Sequence, residues 1–362
     1  MKIAILTFHY AYNYGAVLQA YGLQEVLKQL GHQVDVADYR NKAIVDRIHP
    51  FSWKAFLRNP LSFLIRFLNV YVGYARRVKH FRLFASQRLS LSSRLSQEAL
   101  KNADYDVVVI GSDQVWNPRI TGGPDAAYWG QQCNPATKVI SYAASSGDTA
   151  MLQTPEFAEI NAWLTRFAAI GVRETRLKDF LAPRTALNVE VVLDPTLLAG
   201  REVFEKITPQ RIVPEPYVLV YRVEENSRLM RIACEVARLY HARLVVAAPL
   251  SIKNALKLRK GEAYANVAVE DLLSLIKYAE CVVALSFHGT ALAAVYEKNF
   301  FSVVGGNMAR VETLLKPLNL LGRIVADEMQ VSNEKIDYST VTPRLEQMRR
   351  GSRTFLETAI LS

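Results

Sequence analysis

The chain has 362 residues, half of them apolar and 22% charged, with a net charge of +10. This length suits two domains better than one hydrophobic core, and the composition is that of a folded rather than a disordered protein. The three cysteines, Cys133, Cys234 and Cys281, have no CxxC spacing, so we expect neither a zinc site nor a disulfide framework. No apolar run has the length of a signal sequence or a membrane span. We therefore predict a soluble, cytoplasmic protein without a metal.

The first forty residues predict a βαβ unit. Residues 2–8 form an apolar run typical of a buried strand, residues 16–30 have apolar side chains at helical spacing, and residues 33–38 indicate a second strand. The loop before the helix contains Gly15 but lacks the GxGxxG pattern, so a dinucleotide site is not supported.

A basic segment follows, from Arg40 to Arg94. It contains twelve Lys or Arg residues against one acid, Asp46, so the rest of the chain is close to neutral. Nine aromatic residues are interspersed with these cations: Phe51, Trp53, Phe56, Phe63, Phe67, Tyr71, Tyr74, Phe81 and Phe84. Two interpretations remain open: a peripheral surface for the inner face of an anionic membrane, or a solvated face over aromatic side chains that pack inward. Nucleic acid is less favoured, because no motif that reads nucleic acid accompanies the charge.

Polar side chains follow four predicted strands, at residues 106–111, 138–143, 168–172 and 190–193. The segments that contain them are Ser112-Asp113-Gln114-Val115-Trp116-Asn117, Ala144-Ser145-Ser146-Gly147, Arg173-Glu174 and Asp194-Pro195-Thr196. Because the carboxyl ends of parallel strands meet at one edge of a sheet, we expect them to line one cleft. Arg173 is the best candidate there for binding an anion. Asp113 is a candidate catalytic base, although a role as a helix or turn cap explains it equally well.

The second half repeats the alternation of strands and helices. We predict an N-terminal domain at 1–196 with an insert at 40–102, and a linker at 197–216 that contains three prolines. A C-terminal domain follows at 217–340, and a helix at 341–362 is expected to pack back on the N-terminal domain. The predicted fold class is α/β, with two Rossmann-like domains facing each other across a cleft in the glycosyltransferase type B arrangement.

A predicted strand runs directly into a helix within residues 281–296. The tetrad Ser286-Phe287-His288-Gly289 stands at the junction, where the free N–H groups and positive end of the helix favour an anion. His288 is the titratable side chain at this point, and histidine is the residue type that exchanges protons near neutral pH. We interpret the junction as a site for chemistry on an anionic substrate. A loop histidine bonded to the backbone is the alternative.

Five motifs occur in order along the chain. They are Thr7-Phe-His-Tyr-Ala-Tyr-Asn-Tyr-Gly-Ala-Val-Leu-Gln-Ala-Tyr21, Gly111-Ser-Asp-Gln-Val-Trp-Asn-Pro118, Val172-Arg-Glu174, Leu193-Asp-Pro-Thr196 and Ser286-Phe-His-Gly-Thr290. Together they resemble the polysaccharide pyruvyl transferase family, from the N-terminus to about Gly305.

The resemblance implies a reaction, a donor and a set of site residues. The pyruvate unit of phosphoenolpyruvate is transferred to two hydroxyls of a sugar, in a cell-surface polysaccharide or its lipid-linked precursor, which gives a cyclic ketal and phosphate. Arg173 is expected at the donor, with His288 as the general acid. The other expected binding residues are Asn13, Tyr14, Gly15, Ser286, Gly289 and Thr290. No cofactor is implied, since phosphoenolpyruvate is a substrate.

Two positions depart from the family pattern. Ser286 stands where many members have an arginine, and Ala16 stands where many have an aspartate at the start of the first helix. Two alternatives stay open: a nucleotide-sugar glycosyltransferase of the same fold and, because of Ser286, a catalytically inactive relative that binds glycans or membrane surfaces.

Overall fold

The computed structural model describes residues 1–48, 57, 59–222, 224, 226–248, 263–303 and 308–362. Several residues of the predictions lie outside the described ones: Phe51, Trp53, Lys54, Phe56, Arg58, Val223 and Val304. For Phe63, Arg66, Phe67 and Tyr71 the structure describes the backbone only.

Seven parallel strands form the sheet of the N-terminal domain, in the order β3-β2-β1-β4-β5-β6-β7. They are β1 (Lys2–Leu6), β2 (Gln33–Tyr39), β3 (Leu91–Leu95), β4 (Val107–Ile110), β5 (Lys138–Ala144), β6 (Ala169–Val172) and β7 (Val189–Val191). The helices of this half are α1 (Tyr14–Gln29), α2 (Lys42–Ile48), α3 (Pro60–Arg88), α4 (Gln97–Lys101), α5 (Pro118–Thr121), α6 (Ile160–Leu164), α7 (Thr175–Leu181) and α8 (Pro195–Glu205). Short 3₁₀ turns lie at Thr149–Gln153, Pro155–Phe157 and Ala182–Arg184.

Six parallel strands form the sheet of the C-terminal domain, in the order β10-β9-β8-β11-β12-β13. They are β8 (Tyr217–Tyr221), β9 (Arg243–Ala248), β10 (Ala263–Ala265), β11 (Cys281–Ala284), β12 (Asn299–Val303) and β13 (Ile324–Val325). The helices are α9 (Ser227–Leu239), α10 (Val269–Lys277), α11 (Phe287–Val295), α12 (Met308–Leu315) and α13 (Tyr338–Leu361), with 3₁₀ turns at Leu321–Arg323 and Glu328–Gln330.

Both sheets have the strand order of a doubly wound fold. In each, the order runs outward in both directions from a central pair, β1 with β4 and β8 with β11. Helices cover the two faces of such a sheet, so its central strands are apolar throughout, and every residue of β4, β8 and β11 is buried. The predicted fold class is therefore confirmed, and ligands of such sheets bind beyond the carboxyl ends of the strands.

Helix α8 lies where an irregular linker was expected. Asp194 caps it by accepting a hydrogen bond from the Thr196 N–H, and Pro195 occupies its first turn, which is a common way to begin a helix. The helix kinks at Gly200, whose φ is 71°. Helix α8 packs closely against α1 at Gly22. A Cβ at this position would lie only 2.8 Å from the Pro195 carbonyl oxygen. The segment between the sheets is thus partly a packed helix.

The last helix, α13, lies against the N-terminal sheet. Its Phe355 ring occupies the space beside Gly171, where an added Cβ would come within 2.7 Å. Lys138 Nζ donates a hydrogen bond to the Ile360 carbonyl at 2.9 Å, and Ser352 Oγ accepts one from the Leu193 N–H at 2.9 Å. The chain therefore ends on the domain in which it began.

Helix α3, in the basic segment, spans both domains. Arg77 Nε donates to the Tyr12 carbonyl at 2.8 Å, and His80 Nδ1 lies 2.9 Å from the Asn266 carbonyl oxygen of the other domain. Phe81 and Phe84 are buried. The cations Arg76, Lys79 and Arg82 are exposed on the opposite side. Within the described part of the chain, no helix combines the length and apolar character needed to cross a membrane.

Candidate active site

The polar residues at the ends of β4, β5, β6 and β7 meet in one buried cluster. These four strands are parallel neighbours, so their carboxyl ends share one edge of the N-terminal sheet. Asp113, Ser145, Arg173, Glu174 and Asp194 are all buried there.

Arg173 is at the centre of this cluster, and its side chain is 1% exposed. Its Nη1 donates to Asp194 Oδ2 at 2.8 Å, and its Nη2 lies 3.6 Å from Asp113 Oδ1. The guanidinium carbon lies 5.0 Å from the centre of the Phe287 ring, which belongs to the other domain. Burial opposes the charge, but the three nearby carboxylates outweigh it and raise the pKa of Arg173. Arg173 Nε and Nη2 have no hydrogen-bond partner among the described residues, so two donors remain for a ligand.

Asp194 connects Arg173 to His288. Its Oδ2 accepts a hydrogen bond from Ser112 Oγ at 3.1 Å and lies 3.5 Å from His288 Nε2. Its Oδ1 accepts from the Thr196 N–H and Oγ–H at 2.9 and 2.7 Å. Burial alone would raise the pKa of Asp194, but the positive charges of His288 and Arg173 hold it well below its ordinary value. Asp194 is therefore a buried anion that lies between Arg173 and His288.

His288 lies in the first turn of α11, at the point where the two domains meet. Its Nε2 is buried and has no hydrogen-bond partner among the described residues, although Asp194 lies at ion-pair distance. The Nδ1 side of the ring packs against Gly15, and a Cβ at residue 15 would overlap Nδ1. Gly15 is thus required for α1 to begin against this ring.

Asn13 and Tyr14, both predicted to bind substrate, hold the start of α1. The Asn13 side chain caps the helix by accepting from the Ala16 N–H at 3.3 Å. The Tyr14 hydroxyl donates to the Val267 carbonyl at 2.8 Å, which links α1 to the C-terminal domain. Both contacts place Gly15 against His288.

The start of α11 is held by three residues that were also predicted to bind substrate: Ser286, Gly289 and Thr290. Ser286 Oγ accepts a hydrogen bond from the Gly289 N–H at 3.0 Å and so caps the helix. Gly289 packs on the Tyr221 ring, where a Cβ would overlap ring atoms, and Thr290 Oγ1 donates to Ser302 Oγ at 2.9 Å. These contacts orient α11, the helix that carries His288.

Asp113 lies beside Arg173 in a left-handed backbone conformation, with φ of 73°. Its Oδ1 accepts from the Gln114 N–H at 2.9 Å as well as facing the Arg173 guanidinium. The turn-cap interpretation and the proximity to the site therefore both apply to this residue.

Three further residues belong to the cluster but were assigned no catalytic or binding role from the sequence. Glu174 accepts from Ser145 Oγ at 2.7 Å, while its Oε2 is buried without a hydrogen-bond partner among the described residues. Asp194 was visible in sequence as a strand-end residue of a motif. Arg310, from α12, had no such signal, since no motif contains it. Arg173, Asp194, Phe287 and Arg310 line a cavity of about 230 Å³.

Solved structures with a similar fold include sugar-nucleotide enzymes. UDP-GlcNAc 2-epimerase from Neisseria meningitidis, solved with UDP-GlcNAc, is 12% identical, with a TM-score of 0.50 over 99% of this chain and 94% of that one. A Listeria monocytogenes protein described as a putative UDP-N-acetylglucosamine 2-epimerase is 9% identical, with a TM-score of 0.50 over 97% and 91%. The E. coli heptosyltransferase WaaC is 14% identical, with a TM-score of 0.40 over 84% and 89%. At such identities the likeness to the two epimerases establishes the fold alone.

The sequence comparison is more specific than the fold. No curated protein sequence matches the chain. The family model for polysaccharide pyruvyl transferases matches residues 13–307, which include Gly15, Asp113, Arg173, Asp194 and His288. The chain therefore belongs to the polysaccharide pyruvyl transferase family.

Proposed function

We propose that this protein transfers the pyruvate unit of phosphoenolpyruvate to two hydroxyls of a sugar, forming a cyclic ketal and releasing phosphate. The observation that carries the proposal is a set of buried nitrogens around Asp194 that have no hydrogen-bond partner in the described part of the chain: Arg173 Nε and Nη2, and His288 Nε2. Buried polar groups in native proteins are normally hydrogen-bonded, so this set indicates a ligand that completes it. Phosphoenolpyruvate, with its phosphate and carboxylate, supplies acceptors suited to a guanidinium.

The proposed reaction proceeds in two additions at the same carbon. In the first, an acceptor hydroxyl adds to C2 of phosphoenolpyruvate while the C3 methylene takes a proton from His288. In this scheme the Asp113 carboxylate takes the proton of that hydroxyl. In the second, the neighbouring hydroxyl displaces phosphate from C2 and closes the ketal, and its proton leaves with the phosphate. Proton transfer from Asp113 to His288 through solvent restores both groups.

Each residue has a defined part in this scheme. Arg173 binds the anionic donor, and because Asp194 holds one of its nitrogens, its other donors face a fixed direction. His288 acts as general acid, a role that contributes about 10²–10⁴-fold to the rate. The Asp194 carboxylate lies 3.5 Å from His288 Nε2, beside the proposed proton donor.

We further propose that the acceptor is a glycan on a lipid carrier and that the protein meets it at an anionic membrane surface. Arg76, Lys79 and Arg82 are exposed on one side of α3, and each such cation near an anionic bilayer contributes about 1 kcal/mol. Phe81 and Phe84, by contrast, are buried. In this proposal the cations therefore make the contact with the bilayer. We expect flotation with anionic but not neutral vesicles, with a weaker interaction at high salt and after all three cations are changed to Gln. Equal flotation of the triple variant would exclude this surface.

One assay tests the catalytic proposal. The protein is incubated with phosphoenolpyruvate and a lipid-linked glycan, or with nucleotide sugars and the same glycan, and the release of phosphate or nucleotide is followed together with the mass of the product. We expect phosphate release and a product heavier by a pyruvate ketal. Release of nucleotide without phosphate would establish a glycosyltransferase instead. Release of neither, together with binding of the glycan to the protein, would identify an inactive relative.

A further inference from the structure

Arg310 is a second arginine at the cavity that Arg173 lines, and its side chain is half-buried. It lies in the first turn of α12 and comes from the C-terminal domain, whereas Arg173 comes from the N-terminal domain. Arg310 Nε is buried without a hydrogen-bond partner, and across the described part of the chain no carboxylate lies within ion-pair distance of this side chain. A charged group in such a position is costly unless something pairs with it.

The three carboxylates that act on Arg310 at longer range all contact other groups. Asp194 is held by Arg173 and His288, Asp113 faces Arg173, and Glu174 accepts from Ser145. Burial and the like charge of Arg173 lower the pKa of Arg310 to about 10, while Glu174, Asp113 and Asp194 at longer range oppose that shift. The side chain is thus charged at neutral pH, and the described residues place no carboxylate at ion-pair distance from it.

We propose that Arg310 binds the phosphate or carboxylate of the donor from the side opposite Arg173, so that one guanidinium from each domain holds the anion. The inference rests on the proposed function, since phosphoenolpyruvate is the anion in question. It also accounts for Ser286, which caps α11 and carries no charge. The cation absent at residue 286 is supplied by Arg310 from another helix of the same domain. Binding of the donor then joins the two domains at this cavity.

The test is calorimetric titration of phosphoenolpyruvate into wild-type protein and into Arg310→Gln, Arg310→Lys and Lys316→Gln. Loss of a charge-assisted hydrogen bond is expected to weaken binding about 10- to 100-fold in Arg310→Gln. Arg310→Lys keeps the charge but loses the planar guanidinium that can donate two parallel hydrogen bonds. Its affinity is expected to lie between those of the wild type and Arg310→Gln. Lys316, exposed just beyond α12, is the matched control for the loss of one positive charge, and its variant is expected to bind as wild type does.

Inorganic phosphate, used as a second probe, locates the contact. Equal weakening of phosphate and phosphoenolpyruvate by Arg310→Gln would assign the guanidinium to the phosphate group. Weakening of phosphoenolpyruvate alone would assign it to the carboxylate. Either result supports the proposal.

Thermal unfolding without ligand separates binding from structure. Removing a positive charge close to the like charge of Arg173 is expected to raise the Tm in Arg310→Gln, whereas loss of an arginine that only stabilises the fold would lower it. Wild-type affinity in both Arg310 variants would overturn the inference and leave the proposed function intact. Failure of the wild-type protein to bind phosphoenolpyruvate would instead remove the proposed function, and this inference with it.

Discussion

Two buried histidines, one in each domain, follow strands at the carboxyl edges of the two sheets, and each lies beside an aspartate. His9 follows β1, and its Nε2 lies 3.0 Å from Asp38 Oδ1 while its Nδ1 lies 3.3 Å from the Thr7 carbonyl oxygen. His288 follows β11, and its Nε2 lies 3.5 Å from Asp194 Oδ2 with no hydrogen-bond partner among the described residues. The first ring is fully bonded by the protein, and the second is not. Burial alone therefore does not distinguish a structural histidine from one that acts on a ligand.

The charges around the two rings differ in the same way. Asp38 is shared by His9 and Arg40, which donates two hydrogen bonds to it at 2.6 and 2.9 Å. Asp194 is shared by His288 and Arg173, and both of these side chains keep buried nitrogens without a hydrogen-bond partner among the described residues. The hydrogen bonds of the His9 cluster are complete, whereas the His288 cluster keeps nitrogens that are available to the donor we propose.

Replacing each histidine with alanine gives the largest expected contrast. His288→Ala is expected to reduce turnover about 10²–10⁴-fold, because the proton donor to the methylene is lost. His9→Ala is expected to leave turnover at saturating substrate unchanged and to lower the free energy of unfolding by about 1–3 kcal/mol, because buried polar groups lose a partner. Initial rates of phosphate release and urea unfolding of both variants measure the two effects.

The contrast has a clear way to fail. Similar losses of turnover in both variants, with both folded by circular dichroism, would mean that the completeness of the hydrogen bonds does not identify the active histidine. Normal turnover in His288→Ala would move the general acid to another residue.

Asp194→Asn is expected to have the second largest effect, on stability. It leaves Arg173 and His288 without their shared anion, and breaking a buried ion pair typically costs about 3–5 kcal/mol. Asp337→Asn is the matched control, because Asp337 also caps a helix by accepting from a backbone N–H but is exposed. Asparagine caps helices as well as aspartate does, so the control is expected to change the free energy of unfolding by less than about 0.5 kcal/mol. If urea unfolding gave the same loss of unfolding free energy in Asp194→Asn and Asp337→Asn, Asp194 would stabilise the protein only as a helix cap.

The pH dependence of stability follows from the same aspartate. Its pKa is held well below the ordinary value in the folded state, so its stabilising contribution is present above about pH 4 and is lost as the pH falls toward the folded-state pKa. Wild-type unfolding free energy is expected to fall between about pH 5 and pH 2, and Asp194→Asn is expected to show a smaller fall. Asp38, whose pKa is also depressed once His9 and Arg40 outweigh burial, accounts for part of the remaining fall.

The sequence predicted which strand ends carry the polar residues of the site better than it predicted the contacts between the two domains. The strand ends at Asp113, Arg173 and Asp194 were recognisable because the apolar run before each residue is local. Arg310 was not, because its relation to Arg173 depends on how two separate domains pack. Helix α8 was missed because the prolines that follow it suggested an irregular linker, although Asp194 and Pro195 form a standard helix start.

The basic segment shows the same limit of local patterns. Arg77 was counted among its surface charges, but the structure turns it inward to the Tyr12 carbonyl. The sequence shows which charged residues a helix contains but not the direction of each side chain. That direction depends on how α3 packs against both domains. Arg76, its neighbour in sequence, is exposed.

Gly15→Ala is expected to have the smallest effect of the three, and it tests how tightly the His288 ring is held. The new Cβ would overlap His288 Nδ1, so the ring must turn away from Asp194 or α1 must shift. A displacement of about 1 Å in a catalytic group lowers rates on the order of 10²-fold, so turnover is expected to fall while His9 and its partners are unaffected. Gly322→Ala is the control, since a Cβ there meets nothing within 4 Å and its backbone is not left-handed. The decisive measurement is turnover against the NMR signal of the His288 ring: a lower rate with a shifted signal supports the contact. Unchanged turnover with a shifted signal would show that the reaction tolerates a moved ring and that His288 is not its proton donor.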